Sequence, residues 1–221
     1  MTLIGNINIT ERENPVRMTV FEETDRIFLN PEFRDDWRIR TEIRQRIEKA
    51  SMTLPDGLGF MIYEAYRSRQ QQQRLWDPLY AWLQHENPDW HEDDLYTETA
   101  RWISPPDGFG SGHQAGAAVD ITLATLDRHP LDMGTDMNVK STPLTMTASP
   151  VAENVRKNRN ILITALAKFG LANYPDEWWH FSYGDRLWAE VTGRTQAFFA
   201  PIDYDSEDRV ILSQQNTTDI F

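Results

Sequence analysis

The apolar positions of this chain change period several times. From Asn30-Pro31, a capping residue followed by a proline suited to the first helical position, Phe33, Trp37, Ile39, Ile43 and Ile47 recur at mostly four-residue steps. That spacing predicts an amphipathic helix ending near Lys49. Asp56-Gly57 marks a turn, and Gly59 to Tyr66 then alternates, with Phe60 and Ile62 on one side, as a half-buried strand does. Ser68 with Gln71 three residues on makes a capping box, opening a helix that carries Leu75, Leu79, Trp82 and Leu83 and that Pro78 should kink. Beyond Asn87-Pro88, Glu92 to Trp102 sets Leu95, Thr99 and Trp102 on one helical side. A Pro- and Gly-rich loop, Pro105 to Gly112, leads into the short apolar strand 117–123, the kind of junction where functional side chains gather.

Residues 124–150 read as irregular, interrupted by Gly134, Pro143 and Pro150, before a long helix from Ala152 to Phe169 that Gly170 stops. Glu177 to Tyr183 is aromatic and strand-like. Residues 1–29 carry no clear period, although Arg17 to Leu29 could contribute a strand. Helices and strands are mixed without regular alternation, which predicts an α+β fold with a mainly antiparallel central sheet flanked by helices. A single domain is expected over 1–202, followed by an acidic C-terminal tail over 203–221.

Composition narrows the class of partner. The chain has 221 residues, 40% hydrophobic and 25% charged, enough to bury a core, and its formal net charge is −12. An acidic balance repels phosphate backbones and anionic lipid, so neither nucleic acid nor a membrane is an expected partner. The first fifteen residues hold no basic start followed by an apolar run, and nowhere are there 18 consecutive apolar residues; a cytoplasmic protein is expected. The triplets beginning at Asn8 and Asn216 match the glycosylation pattern but mean little in that setting. Cysteine is absent, so any metal must be held by His, Asp or Glu.

Of the five histidines, His85, His91 and His129 lie in polar surroundings and read as solvated. His113 and His180 lie among apolar or glycine-rich residues with a carboxylate nearby, Asp120 and Glu177 respectively. Two imidazoles and a carboxylate leave one position of a tetrahedral zinc open, and a second carboxylate can act as base. Each residue taken singly is equally at home in a core or an ion pair, Arg67 included. His113 and Asp120 are seven apart, so a regular strand would send them to opposite faces; both reach one metal only if the backbone turns, for which Gly112 and Gly116 supply freedom. Glu177 and His180 are three apart, which suits one helical face, or a bend at Glu177 leading into a strand. Spacing leaves that choice open.

Ser111-Gly112-His113-Gln114-Ala115-Gly116-Ala117-Ala118-Val119-Asp120 resembles the Ser-x-His-x-x-Gly-x-Ala-x-Asp signature of the zinc D-alanyl-D-alanine dipeptidases of VanX type. Glu177-Trp178-Trp179-His180 matches that family's Glu-x-x-His signature, and Glu64-Ala65-Tyr66-Arg67, Leu126-Asp127 and Met133-Gly134 agree further. The similarity covers about residues 58–183. It implies one Zn²⁺ per chain, placed on the sheet and held by His113, Asp120 and His180, with Glu177 as general acid/base and Arg67 stabilising the oxyanion. It implies a small dipeptide substrate, D-Ala-D-Ala in the first instance, with Ser111 near its amino end. Where the family has an aspartate for the substrate ammonium, the aligned position is Asn138, and Asp136 lies two residues away. Two other readings stay open: a zinc D,D- or L,D-carboxypeptidase or endopeptidase acting on cell-wall peptides, and a zinc-containing binding module without turnover.

Overall fold

A computed structural model of the chain describes residues 7–32, 36–107, 110–137, 142–204 and 208–212. In chain order its elements are β1 (Asn8–Ile9), β2 (Met18–Val20), β3 (Ile27–Leu29), β4 (Arg38–Arg40), α1 (Thr41–Ser51), β5 (Leu58–Glu64), α2 (Arg69–Glu86), α3 (Glu92–Trp102), β6 (Ala118–Thr125), α4 (Glu153–Ala167), β7 (Ala172–Asn173), β8 (His180–Ser182), α5 (Arg186–Val191), β9 (Gln196–Ala197), β10 (Ile202–Tyr204) and β11 (Val210–Leu212). The main sheet has the order β3-β5-β6-β8-β7. The β3–β5 pair is parallel and every other neighbour antiparallel, so the α+β expectation stands with a sheet that is mixed.

Strand β6 is buried along almost its whole length, and its period-2 alternation separates two environments. Val119, Ile121 and Leu123 enter the main core with Phe60, Ile62 and Phe181, against Ile43 and Ile47 of α1 and Leu162 and Leu166 of α4. Ala118, Asp120, Thr122 and Ala124 therefore face the other side, where Ala124 packs with Phe28 and Met61. The helical layer covers one face, and chemistry is confined to the other.

The helix expected from Asn30 begins only at Thr41. Asn30 does not cap a helix; its Oδ1 accepts from the Glu32 N–H at 2.9 Å, closing a local turn. Residues 33–35 lie outside the described residues. Arg38–Arg40 is extended and pairs antiparallel with Met18–Val20, so the four-residue step from Ile39 to Ile43 crosses a strand-to-helix junction. Both isoleucines are fully buried, one from each element.

The Ser68 capping box forms as expected: Ser68 Oγ accepts from Gln71 N–H at 3.2 Å and Gln71 Oε1 accepts from Ser68 N–H at 2.7 Å. Helix α2 continues past Pro78 to Glu86. Its inward face differs from the expected one. Gln72, Trp76 and Leu83 are buried, whereas Leu75 and Trp82 are 45% and 56% exposed, because α2 packs on α3 and not on the sheet; Trp76 lies 5.1 Å from the Tyr96 ring. On α3, Leu95 and Thr99 are buried as expected and Trp102 is exposed. The sequence boundary at 203 falls inside β10, which pairs with β11; Tyr204 meets Tyr66 edge-on and Arg38 stacks on its ring.

Arg40 at the end of β4 has no solvent exposure. All five of its guanidinium N–H groups find acceptors: Nε on Ala115 O, Nη1 on Glu11 Oε1 and Glu13 Oε2, Nη2 on Glu11 Oε2 and Ala200 O. Its backbone N–H also donates to Gly116 O at 2.9 Å. One side chain thus ties the N-terminal segment, residue 200 and the loop bearing His113 together. Removing one partner of a buried ion pair strands the other charges, typically at about 3–5 kcal/mol. The Arg40→Met variant is accordingly expected to lose that order of stability in a denaturant titration, and a loss below about 1 kcal/mol, the scale of an exposed pair, would show that the buried network does not brace the fold.

Candidate active site and metal centre

His113 sits in the turn before β6, and the chain reverses after it because Gly116 adopts φ +60°. A side chain at Gly116 would also press on Met18, and one at Gly112 would collide with the Asp185 carboxylate. The required turn between His113 and Asp120 is therefore present. Asp120 on β6 lies directly opposite His180 on β8, so the two share a face by register. Glu177 occupies the bend before β8: its N–H donates to Tyr174 O and its carbonyl accepts from His180 N–H. Of the two readings left open by spacing, the structure takes the bend leading into a strand.

Three donor atoms converge. His113 Nε2 lies 3.2 Å from His180 Nδ1 and 3.5 Å from Asp120 Oδ1, and His180 Nδ1 lies 3.1 Å from Asp120 Oδ1. Metal bonds of about 2.0–2.1 Å in a tetrahedron give edges of about 3.3–3.4 Å, so the spacing fits a zinc-sized ion. All three residues are buried. His113 Nδ1 donates to Ala65 O at 2.8 Å in the tautomer that leaves Nε2 as an acceptor, the arrangement that orients a ligating imidazole. Two imidazoles and one carboxylate leave a fourth position open.

The surrounding charges act on these groups. Burial pushes the Asp120 carboxyl up, but the adjoining His113 and His180 outweigh it and hold it well below the usual carboxylate range. Burial lowers His113, yet Asp120 and Glu64 more than compensate and raise it. Glu64 is held low in the same way, burial opposing and His113 and Arg67 prevailing. Arg67 binds Glu64 through Nε at 2.6 Å and Nη2 at 2.5 Å.

A cleft of about 610 Å³ gathers Glu64, Arg67, Ser111, His113, Asp120, Glu177, His180 and Asp185, with Gln72, Leu75 and Trp102 of the α2–α3 hairpin along one wall. Glu177 Oε2 is 4.0 Å from His180 Nδ1. The structure thus brings together six of the expected residues: His113, Asp120, His180, Glu177, Arg67 and Ser111. Asp136 is exposed and does not line this cleft, and Asn138 lies outside the described residues.

The family profile described as D-ala-D-ala dipeptidase matches residues 39–199. The chain belongs to the D-ala-D-ala dipeptidase family. A D-alanyl-D-alanine dipeptidase of Synechocystis sp. is 30% identical over 180 residues, covering 71% of this chain and 73% of that protein. One of Escherichia coli is 30% identical over 128 residues, 57% of this chain and 55% of its own. A solved zinc-bound structure of the vancomycin-resistance D,D-pentapeptidase VanY aligns over 81% of this chain and 88% of its own at 18% identity and TM-score 0.42.

Other residues that shape this dipeptidase-family site escaped the sequence reading. Glu64 appears there only as part of a matching block, three residues before the arginine it binds. Asn173 Nδ2 reaches the carbonyls of Glu177, Trp178 and His180 at 3.0–3.3 Å and so holds the bend that carries Glu177, with Thr147 Oγ1 donating to its Oδ1. Trp178 Nε1 donates to Thr135 Oγ1, pinning the same bend from the other side. Gln72 lies inside a run of four glutamines, where nothing marks the one that is buried.

The raised His113 makes a signed prediction for metal-free protein. A charged imidazole stabilises the fold fully below its unfolded value of about 6.5, and the contribution is lost as pH rises through the raised folded value. Metal binding needs neutral imidazole, so metal affinity moves the opposite way. In chelator-treated protein the denaturation midpoint should fall above about pH 6.5, while that of His113→Gln stays flatter. A wild-type midpoint independent of pH across that range would contradict the electrostatic account.

Proposed function

We propose that this chain is a zinc-dependent D,D-dipeptidase that hydrolyses the peptide bond of D-Ala-D-Ala. The observation that carries the reading is the buried His113–Asp120–His180 triangle at tetrahedral edge lengths, with Glu177 beside it and Arg67 on the same cleft. The residues fit one Zn²⁺ per chain, with His113 Nε2, Asp120 Oδ1 and His180 Nδ1 as the donor atoms. When bound, zinc supplies Lewis acidity, drawing the pKa of a water it holds down to about 7.

The remaining chemistry belongs to the side chains. Glu177 takes the proton of the attacking water and passes it to the leaving amine, so one carboxylate serves as base and then as acid. Arg67, charged at any working pH, meets the negative charge that develops on the former carbonyl oxygen. Burial works against its charge, but the neighbouring carboxylates Glu64, Asp120 and Glu177 outweigh it and leave the guanidinium firmly protonated. Ser111 lines the cleft and is assigned to the amino end of the substrate. The family match and the names of the relatives support D-Ala-D-Ala as substrate. A second reading, a carboxypeptidase or endopeptidase on cell-wall peptides, draws support from the cleft volume, which exceeds the need of a dipeptide. The reading includes a cytoplasmic location; no described helix is long and apolar enough to cross a membrane.

The test is amine release from D-Ala-D-Ala, L-Ala-L-Ala, N-acetyl-D-Ala-D-Ala and a D-Ala-D-Ala-terminated tripeptide, with zinc-loaded and chelated protein. Chelator-sensitive hydrolysis of the free D,D-dipeptide is expected, and faster cleavage of the acetylated or longer substrates would move the protein to the second reading. Glu177→Gln should keep one zinc per chain yet lose at least about 10²-fold in kcat, the lower end of what a general base contributes. Full turnover in that variant would remove Glu177 from the mechanism.

A further inference from the structure

Arg67 carries five N–H donors, and three are already committed within the protein. Nε and Nη2 donate to the two oxygens of Glu64, and Nη1 donates to Gln72 Oε1 at 3.0 Å. One N–H on each of Nη1 and Nη2 has no partner among the described residues. The two clamping residues come from different elements. Glu64 ends β5, where the ladder with β6 shifts register between Ile62 and Glu64, while Gln72 stands in the first turn of α2.

Gln72 is only 1% exposed, and a donor on one side and an acceptor on the other fix which way its amide faces. Its Nε2 donates to Ser104 O at 2.7 Å, just past the end of α3, which turns Oε1 toward Arg67; Ser111 Oγ is 3.4 Å from the same oxygen. A bidentate carboxylate fixes one edge of a guanidinium but lets the plane swing about that edge. A third contact on Nη1 removes the swing. The α2–α3 hairpin, which makes little contact with the sheet, is thereby connected to the catalytic arginine through one buried amide.

We propose that Gln72 is a positioning residue for the hydrolysis: with Glu64 it locks Arg67 so that one N–H of each terminal nitrogen is presented to the developing oxyanion. This rests on the function proposed above. Misplacement of a catalytic group by about 1 Å costs on the order of 10²-fold, and outright loss of an oxyanion donor about 10²- to 10³-fold. Loosening the clamp should therefore lower kcat by about 10- to 100-fold with KM within about twofold, as expected for an interaction realised in the transition state.

The experiment compares wild type with Gln72→Met, which keeps volume and removes all three side-chain hydrogen bonds, and Gln72→Glu, which keeps an oxygen for Arg67. Steady-state kinetics on D-Ala-D-Ala are read beside zinc content, melting temperature and affinity for a tetrahedral phosphinate dipeptide analogue. The proposal expects Gln72→Met to lose kcat and phosphinate affinity in parallel while retaining zinc, and Gln72→Glu to recover part of both. A Gln72→Met enzyme within twofold of wild type in kcat, or a loss that merely follows zinc content or melting temperature in both variants, overturns it. In ¹⁵N-arginine spectra, slowly rotating Nη groups of Arg67 in wild type that become averaged in Gln72→Met support the clamp, and unchanged spectra overturn it. That measurement decides the proposal even if wild-type protein fails to hydrolyse the dipeptide, an outcome that would fall on the function and not on the clamp.

Discussion

The register between β6 and β8 is the constraint on which the rest depends. Asp120 stands opposite His180 and Val119 opposite Phe181, so one pair of strands delivers two candidate metal ligands to one face and two core residues to the other. Side chains alternate with a period of two, and a slip of one residue would bury Asp120 against Ile43 and Leu162 while moving Val119 into the cleft. Hydrophobic burial on the helical face therefore enforces the geometry of the polar face. Pairing of β6 with β5 on its other side extends the same logic, since Glu64 is drawn opposite Asp120 and its bound Arg67 follows three residues later.

Loops hold the remaining groups, and here buried arginines do what disulfides do in other small folds. Arg40 gathers the carbonyls of Ala115 and Ala200 and two carboxylates from the N-terminal segment. Arg159 of α4, also buried, donates to the carbonyls of Met133, Leu144 and Met146. That second arginine braces the segment whose Thr145 carbonyl accepts from Trp178 N–H beside Glu177. A planar fork of five donors suits such work, because each carbonyl it meets is a backbone group that burial would otherwise leave unsatisfied. Burial lowers the pKa of Arg159 more than the nearby Asp132 raises it, and its hydrogen bonds run to backbone carbonyls.

Much of this was legible in the sequence where one residue type has one physical use. The apolar run of β6, the capping box at Ser68 and the glycine at position 170 each determine local structure regardless of distant partners, and each appears where expected. Two of the expected metal ligands, His113 and Asp120, converge through the turn at Gly116, and the third, His180, is brought to them by the β6–β8 register. Failures occur where distant contacts override local pattern. Ile39 and Ile43 keep a helical spacing across a strand-to-helix junction, because β2, some twenty residues earlier, pairs with β4. Leu75 and Trp82 mimic a core-facing stripe, yet α2 is turned to send Gln72 inward to Arg67. Arg159 and Asn173 could not be read at all, since they donate to backbone carbonyls that every residue carries, and Arg40 could not because its carboxylate partners lie about thirty residues away.

The candidate centre is itself a problem in electrostatics that the fold leaves half solved. Three lone-pair donors converge at 3.1–3.5 Å in a buried place with carboxylates Asp120, Glu64 and Glu177 around it and Arg67 as the neighbouring guanidinium. Such an arrangement is unfavourable unless a positive charge occupies the point of convergence. Without metal that charge must come from protons, which is why His113 is raised and Asp120 depressed together. A divalent ion held by His113, Asp120 and His180 would replace those protons and neutralise the same carboxylates. The scaffold thus spends its core and its buried arginines on holding a site that repels itself, and the binding of a cation is the event that relieves it.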